Sequence, residues 1–424
     1  MKIWALAFVA ACHGGGDKPV AKKRGSGAIA EVVNAPQFPD AGGRASGTTT
    51  DEVEPNDSAE TATPFPMEST IRGKIDPDAD IDYYRLDIEK PGALSLLTNA
   101  VDADLVVELE DSNGALIARS ARGGARVKEG VPNFGVTPGR YTVLVKGGVK
   151  KKPPVVKGKK APPPAPPGPP PVYELTSALV AIPANMEHEP DEDRGNPNDL
   201  IIGDTGSGFI GWSNDVDVWK LSVETLSAKN VIDLEIGAVE GVALELEVAD
   251  GAGNVVLDRK APRGSPLVVR GFLPNVPANS SPYHYLTIKG AGSNPETPYT
   301  VKVTAALPQT DAEMEPNDTV DKPFAMPADR TIVHGRWTAG DVDCYAIAGQ
   351  GTVTATVDPS GDLDPVIELF VDGKSVAVAN KAKKGAAEKV SGTAGSKTVV
   401  CVKSADTSAT GEAAYDLTVQ DDGL

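Results

Sequence analysis

Cysteine, histidine, aromatic side chains and long apolar runs are all scarce in this chain, and each scarcity removes a class of protein. Three cysteines and four histidines (His13, His188, His284, His334) form neither an H-E-x-x-H pair nor a zinc-ligand spacing. No G-x-S-x-G turn, phosphate-binding glycine loop or dinucleotide fingerprint occurs. Asp102 and Asp104 could in principle serve as a hydrolase carboxylate pair, but with no other catalytic pattern the chain is expected not to be an enzyme. The apolar run at residues 3–11 is too short to cross a bilayer as a helix. No helical stripe of useful length appears, and a net charge of -18 argues against a nucleic-acid partner, which requires basic surface.

What the chain has instead is a threefold acidic repeat. Glu52, Glu54, Pro55, Asn56, Asp57 recur as Glu187, Glu189, Pro190, Asp191, Glu192 and again as Glu313, Glu315, Pro316, Asn317, Asp318. Downstream of each lies a D-x-D pair: Asp80 and Asp82, Asp215 and Asp217, Asp341 and Asp343. From Glu54 to Asp82, Glu189 to Asp217 and Glu315 to Asp343 the interval is 28 residues in every copy. A constant interval between two oxygen-rich clusters predicts that each copy folds them to a common place, and that 424 residues divide into three modules.

Each module gives the same order of strand signals. A glycine-led stretch runs through the D-x-D pair (73–88, 208–223, 335–347), followed by period-two alternation at Leu105, Val107 and Leu109, at Leu244, Leu246 and Val248, and at Ile367, Leu369 and Val371. Turns follow at Asp111, Asp250 and Asp372, and the closing strands begin at Tyr173, Tyr299 and Tyr415. Short alternating strands with regular turn signals predict an all-β chain of three tandem antiparallel β-sandwiches over residues 51–183, 184–307 and 308–424. Residues 147–171, rich in Lys and Pro, read as an enlarged loop inside the first module, expected to project as a polyproline II arm.

The motif order E-x-E-P-N-D, then D-x-D-Y-Y, then a closing Y-x-[VL]-x-V resembles the bacterial pre-peptidase C-terminal domain over nearly all of residues 51–424 in three copies. That resemblance implies a non-catalytic, jelly-roll-like β-sandwich of exported proteins. Its collagen-binding branch implies calcium ligands at Glu52, Glu54, Asn56, Asp57, Gly73 and Asp82, at Glu187, Glu189, Asp191, Glu192, Gly208 and Asp217, and at Glu313, Glu315, Asn317, Asp318, Gly335 and Asp343. The chain departs from that branch at Ala79, Asn214 and Gly340, where the branch has Asp, so Asp80, Asp215 or Asp341 stands in from one residue later. Independently of resemblance, four acidic or amide side chains within six residues, joined by a distant Asp, match the oxygen-rich shell of Ca²⁺; the alternative is that they only form turns. The first module is expected to offer the best site.

The N-terminus suggests the compartment. Val9-Ala10-Ala11-Cys12 resembles a bacterial lipobox, so residues 1–12 read as a lipoprotein signal, with lipidation at Cys12, and 13–50 as a disordered tether. An ordinary signal peptide ahead of a chance Cys is the alternative. His13 rather than Asp follows Cys12, which points to the outer membrane. Cys344 and Cys401 remain, and in an exported protein a lone pair favours a disulfide over two buried thiols. The expected protein is therefore a lipid-anchored, cell-envelope display of binding or adhesion modules, with an envelope polymer, matrix or protein as ligand. A structural spacer or accessory subunit is the alternative.

Overall fold

The computed structural model describes residues 47–76, 79–148, 170–226, 230–309, 311–327, 331–361 and 363–422. The signal segment, Cys12, nearly all of the tether and most of the Lys/Pro-rich loop (149–169) lie outside the described residues. The described chain is all-β, and its strands form six sheets in three facing pairs.

In the first sandwich one sheet runs in the order Thr49–Asp51, Thr70–Lys74, Val172–Val180, Gly92–Thr98, Gly130–Val136. The sheet facing it runs Thr63–Pro64, Ile81–Ile88, Gly139–Gly147, Leu105–Glu110, Leu116–Ser120. The second sandwich repeats this with Thr205–Gly208, Tyr299–Ala306, Val231–Ile236, Leu267–Phe272 against Asn198–Leu200, Val216–Ser222, Tyr283–Ala291, Ala243–Ala249, Val255–Lys260. The third sets Ile332–Thr338, Glu412–Asp421, Thr352–Pro359, Glu388–Thr393 against Phe324–Ala325, Val342–Ile347, Thr398–Ser404, Pro365–Val371, Lys374–Ala379. Alternate residues of both sheets fill each core, as Ile71, Leu94 and Leu175 meet Leu86, Val107 and Val143 in the first. Val172–Val180 lies between two strands that precede the Lys/Pro-rich loop, so that loop interrupts the first sandwich and does not join two domains.

Pairing is antiparallel except at sheet edges, where a short segment from each module entry adds a parallel strand. The stretches 73–88, 208–223 and 335–347 are each two strands in different sheets, where the sequence pattern read as one. The corner between them explains two of the three departing residues: Asn214 (φ 67) and Gly340 (φ 82) adopt left-handed backbone that few other residues accept, whereas Ala79 does not. The first Asp of each D-x-D pair ties the corner. Asp80 accepts from the Asp76 N–H (2.7 Å), Asp215 from Gly211 (2.5 Å) and Asp341 from Thr338 (3.1 Å).

Two module junctions repeat one device. The outer strand of the first sandwich is interrupted by a bulge at Asn133 (φ 56), and that of the second by one at Gly271 (φ 67). Each bulge receives the following acidic motif. The Asn133 carbonyl accepts from the Glu189 N–H and the Gly135 N–H donates to the Glu189 carbonyl (2.8 Å). Gly271 and Leu273 do the same with Glu315 (3.1 and 2.8 Å). Trp212 completes the first junction by packing into the core of the preceding sandwich beside Phe134.

Cys344 and Cys401 face each other across adjacent strands of the third sandwich and are disulfide-bonded, closing a loop of 57 residues. A loop of that length restricts the unfolded chain enough to stabilise by about 2–4 kcal/mol. The C344A/C401A double variant is therefore expected to lower the denaturant midpoint of the third sandwich and leave the other two transitions in place. Equal midpoints would contradict this.

Candidate metal centres

Each acidic motif meets its D-x-D strand through the same bonds. The backbone carbonyl two residues after the motif's second Glu accepts from that strand: Asn56 from Tyr83 (3.0 Å), Asp191 from Val218 (3.2 Å), Asn317 from Cys344 (3.0 Å). The second Glu accepts from the N–H two residues on, at 2.9 Å for Glu54, 3.0 Å for Glu189 and 2.8 Å for Glu315. All three Glu-Pro bonds are cis. The first Glu accepts from the N–H after the strand glycine, as Glu52 does from Lys74 (2.8 Å), Glu187 from Phe209 (2.5 Å) and Glu313 from Arg336 (2.5 Å).

In the first and third modules buried phenols bridge the two clusters. In the first module the Tyr84 hydroxyl donates to Glu52 (2.8 Å) and contacts the Tyr173 hydroxyl (2.6 Å), which donates to Asp82. Tyr345 and Tyr415 link Glu313 to Asp343 in the same way in the third. In the second, Trp219 donates to Tyr299 (2.9 Å), whose hydroxyl donates to Glu187 (3.0 Å). The strand glycines leave room for these groups: a Cβ at Gly208 would stand 1.8 Å from Glu187 Oε2, and one at Gly73 2.3 Å from Tyr84 Oη. At Gly335 it would stand 2.1 Å from Tyr415 Cζ.

Carboxylate oxygens gather within 4.8 Å of one another in each centre: Glu52, Glu54 and Asp82; Glu187, Glu189 and Asp217; Glu315, Asp341 and Asp343. The surroundings differ. In the first centre Glu54 and Asp57 are exposed and Glu52 half-buried, while Asn56 and Asp82 are fully enclosed with oxygens that meet no donor. Burial, and behind it the charges of Glu52, Asp80 and Glu54, push Asp82 up to about 8.

The second centre is closed by the first sandwich. Glu187, Glu189, Asp191, Asp215 and Asp217 are each at most 2% exposed, and among the described residues no Lys or Arg is paired with any of them. Glu189 Oε1, Asp191 Oδ1, Asp215 Oδ1 and both oxygens of Asp217 meet no hydrogen-bond donor. Burial raises all five, and for Glu187, Asp191, Asp215 and Asp217 repulsion within the cluster is the next cause; Glu189 rises to about 7. Glu192, expected as a ligand, is exposed, and its charge is the next cause after burial that raises Glu189. Unpaired buried carboxylates cost several kcal/mol each when ionised, so at neutral pH this cluster requires protons or a cation. Its donors are all hard oxygens, the kind that Ca²⁺ takes.

The third centre already holds a cation of the protein's own. Arg259, from the second sandwich and 1% exposed, pairs with Glu315 (2.9 Å), Asp318 (2.9 Å) and Asp341. Sequence reasoning missed this residue, although Leu257, Arg259 and Ala261 share the inward parity of one strand, where Arg is out of place without a partner. The Asp102 and Asp104 carboxylates are committed to a loop, Asp102 to Arg126 and Asp104 to the Gly124 N–H (3.0 Å). Tyr283 and Tyr285 lie under Lys220 and Arg194, on the face opposite buried His284.

Fold and centres together define a chain of tandem β-sandwiches whose entries are acidic, oxygen-lined nodes. No protein-family model matches it and no curated protein does. Among solved structures it is similar to the pre-peptidase C-terminal domain of a collagenase from Bacillus anthracis, at 16% identity over 27% of this chain and 93% of that one (TM-score 0.20). A protein from Eubacterium rectale matches at 10% identity over 59% and 81% (TM-score 0.20). An archaeal-virus protein with a triple jelly roll matches at 8% identity over 79% and 82% (TM-score 0.16). At these TM-scores the likenesses carry no argument about function.

A pH dependence follows for the metal-free protein. The second centre's carboxyls have folded pKa values above the unfolded ones, so the stability they contribute is complete below about pH 4 and is lost as pH rises through the raised values. In chelator the melting temperature is expected to fall as pH rises from about 4 through about 7, the value to which Glu189 is raised, and less so in D217N. A flat profile for the parent chain contradicts it.

Proposed function

We propose that this protein is a non-enzymatic, lipid-anchored display of tandem β-sandwich modules on the cell envelope, serving binding or adhesion, with calcium stiffening the module entries. The observation that carries the metal reading is the second centre, where five carboxylates are buried, those of Glu187, Glu189 and Asp217 within 4.8 Å of one another, and none is paired with a cationic side chain among the described residues. It displaces the first centre, whose Glu54 and Asp57 are open to water, as the strongest site. The Cys344–Cys401 disulfide and the lipobox-like Val9-Ala10-Ala11-Cys12 support an oxidising, exported setting, in which calcium is plentiful. The ordered modules and the closed junctions support presentation of a surface at a distance from the lipid. They suit a spacer or accessory subunit equally, and a pulldown on envelope glycans and matrix proteins separates that reading from adhesion.

Calcium at a hundred times its dissociation constant stabilises its site by about 2.7 kcal/mol, enough to raise the melting temperature of one sandwich by on the order of 10 °C. The full chain is expected to show such a rise with calcium, a much smaller one with magnesium and none with chelator, and D217N is expected to remove the second sandwich's share. Superimposable melts in all three conditions would remove the metal from this account.

A further inference from the structure

We infer that the Arg259 guanidinium takes the place of the metal ion in the third centre, so that the junction between the second and third sandwiches is locked without calcium while that between the first and second depends on it. The inference rests on the calcium reading of the second centre and concerns how the chain distributes it.

The strand registers locate the substitution. Across the first sandwich one row runs Asp82, Val145, Val107, Ser120, and across the second Asp217, Ile288, Leu246, Arg259. Ser120 and Arg259 thus hold the same position on the last strand of the sheet, each in the module preceding a junction. Ser120 is short and turns into its own module, where its hydroxyl donates to buried Glu129 (2.6 Å). Arg259 is long enough to cross the junction and enter the next module's acidic centre.

Its contacts there are those expected of a replacement cation. Nη2 donates to Glu315 Oε1, and Nη1 meets Asp318 Oδ1 and Asp341 Oδ1. Glu315 and Asp341 correspond to Glu189 and Asp215, whose free oxygens in the second centre have no donor. In the third centre Glu189's and Asp215's unpaired oxygens thus have counterparts that the guanidinium satisfies. Asn317 stands where the second centre has Asp191 and donates to Glu313 (3.3 Å), while Asp318, in the place of exposed Glu192, pairs with the guanidinium. A guanidinium with its planar fork suits several carboxylates at once, and a dication beside it would meet a buried like charge.

A second arginine reinforces the same junction. Arg270 binds Glu412 of the third sandwich through Nε (2.9 Å) and Nη2 (2.6 Å) while Nη1 holds Glu235 of its own (2.5 Å). One position before the bulge, the first sandwich has Pro132 in its place. The first junction carries the partly exposed Lys128–Glu296 pair (2.5 Å), the packing of Phe134 and Trp212 and whatever neutralises its five carboxylates; among the described residues only the second places a cation inside the acidic centre.

Calorimetric titration of the full chain with calcium tests this. In the parent, D217N is expected to reduce the number of bound ions by one and D343N to leave it unchanged. R259S, which copies Ser120, is expected to bind one more ion than the parent and to recover with calcium the melting temperature it loses in chelator. A parent stoichiometry that falls with D343N, or a folded R259S that gains no ion, overturns the inference. If R259S does not fold, the D217N and D343N pair decides alone. A parent that binds no calcium and an R259S that binds none defeat the underlying calcium reading instead, which is a different result from loss of an ion with D343N.

Discussion

Enclosing several carboxylates in one small volume is the constraint on which the rest of this structure depends. Charges within about 5 Å of one another repel by several kcal/mol once water is excluded, and removing each from water costs several more. The fold meets that constraint locally with N–H donors and phenols. Glu187 is satisfied at both oxygens by Phe209 and Tyr299, and Glu313 by Arg336, Tyr345 and Asn317. What the local donors leave over is a set of oxygens directed at one another, and the balance must come from a proton, an ion or an arginine. The three modules give this demand three settings: solvent access in the first, enclosure in the second, and Arg259 in the third.

The same constraint ties the modules together. The acidic motif lies at each module's entry, and in the second and third the bulge of the preceding sandwich pairs with the Glu of the cis Glu-Pro bond. Closing a junction therefore buries the centre beneath it, and neutralising the centre favours the closed junction. Backbones approach closely at both places: a Cβ at Gly211 would stand 2.6 Å from Pro132, and one at Gly340 2.1 Å from the Lys260 carbonyl.

Much of this was legible in the sequence because it repeats. The constant interval of 28 residues required that the motif and the D-x-D pair meet, and the strand alternation and closing tyrosines required a two-sheet core. The glycines at 73, 208 and 335 were legible as special positions, although the structure gives them the work of admitting a phenol or a Glu. Less visible was the sheet change inside 73–88, because the six residues between Lys74 and Ile81 leave no break in a period-two pattern when Asp80 supplies the cap. The bulges at Asn133 and Gly271 were hidden because one extra residue in a short strand has no compositional mark. Arg259 was hidden for another reason: its partners are 56 and more residues away in the next module, and no local pattern records a contact made across a junction. The lipobox and the Lys/Pro-rich arm lie outside the described residues, so nothing in the fold bears on them.

The most direct test of the central claim is anomalous diffraction from crystals of the protein grown with calcium and then exchanged for terbium. The account predicts a strong peak among Glu187, Glu189, Asp191, Asp215 and Asp217 and none beside the Arg259 guanidinium. An ion-free second centre with the rest of the sandwich intact, or a peak in the third centre, would contradict it.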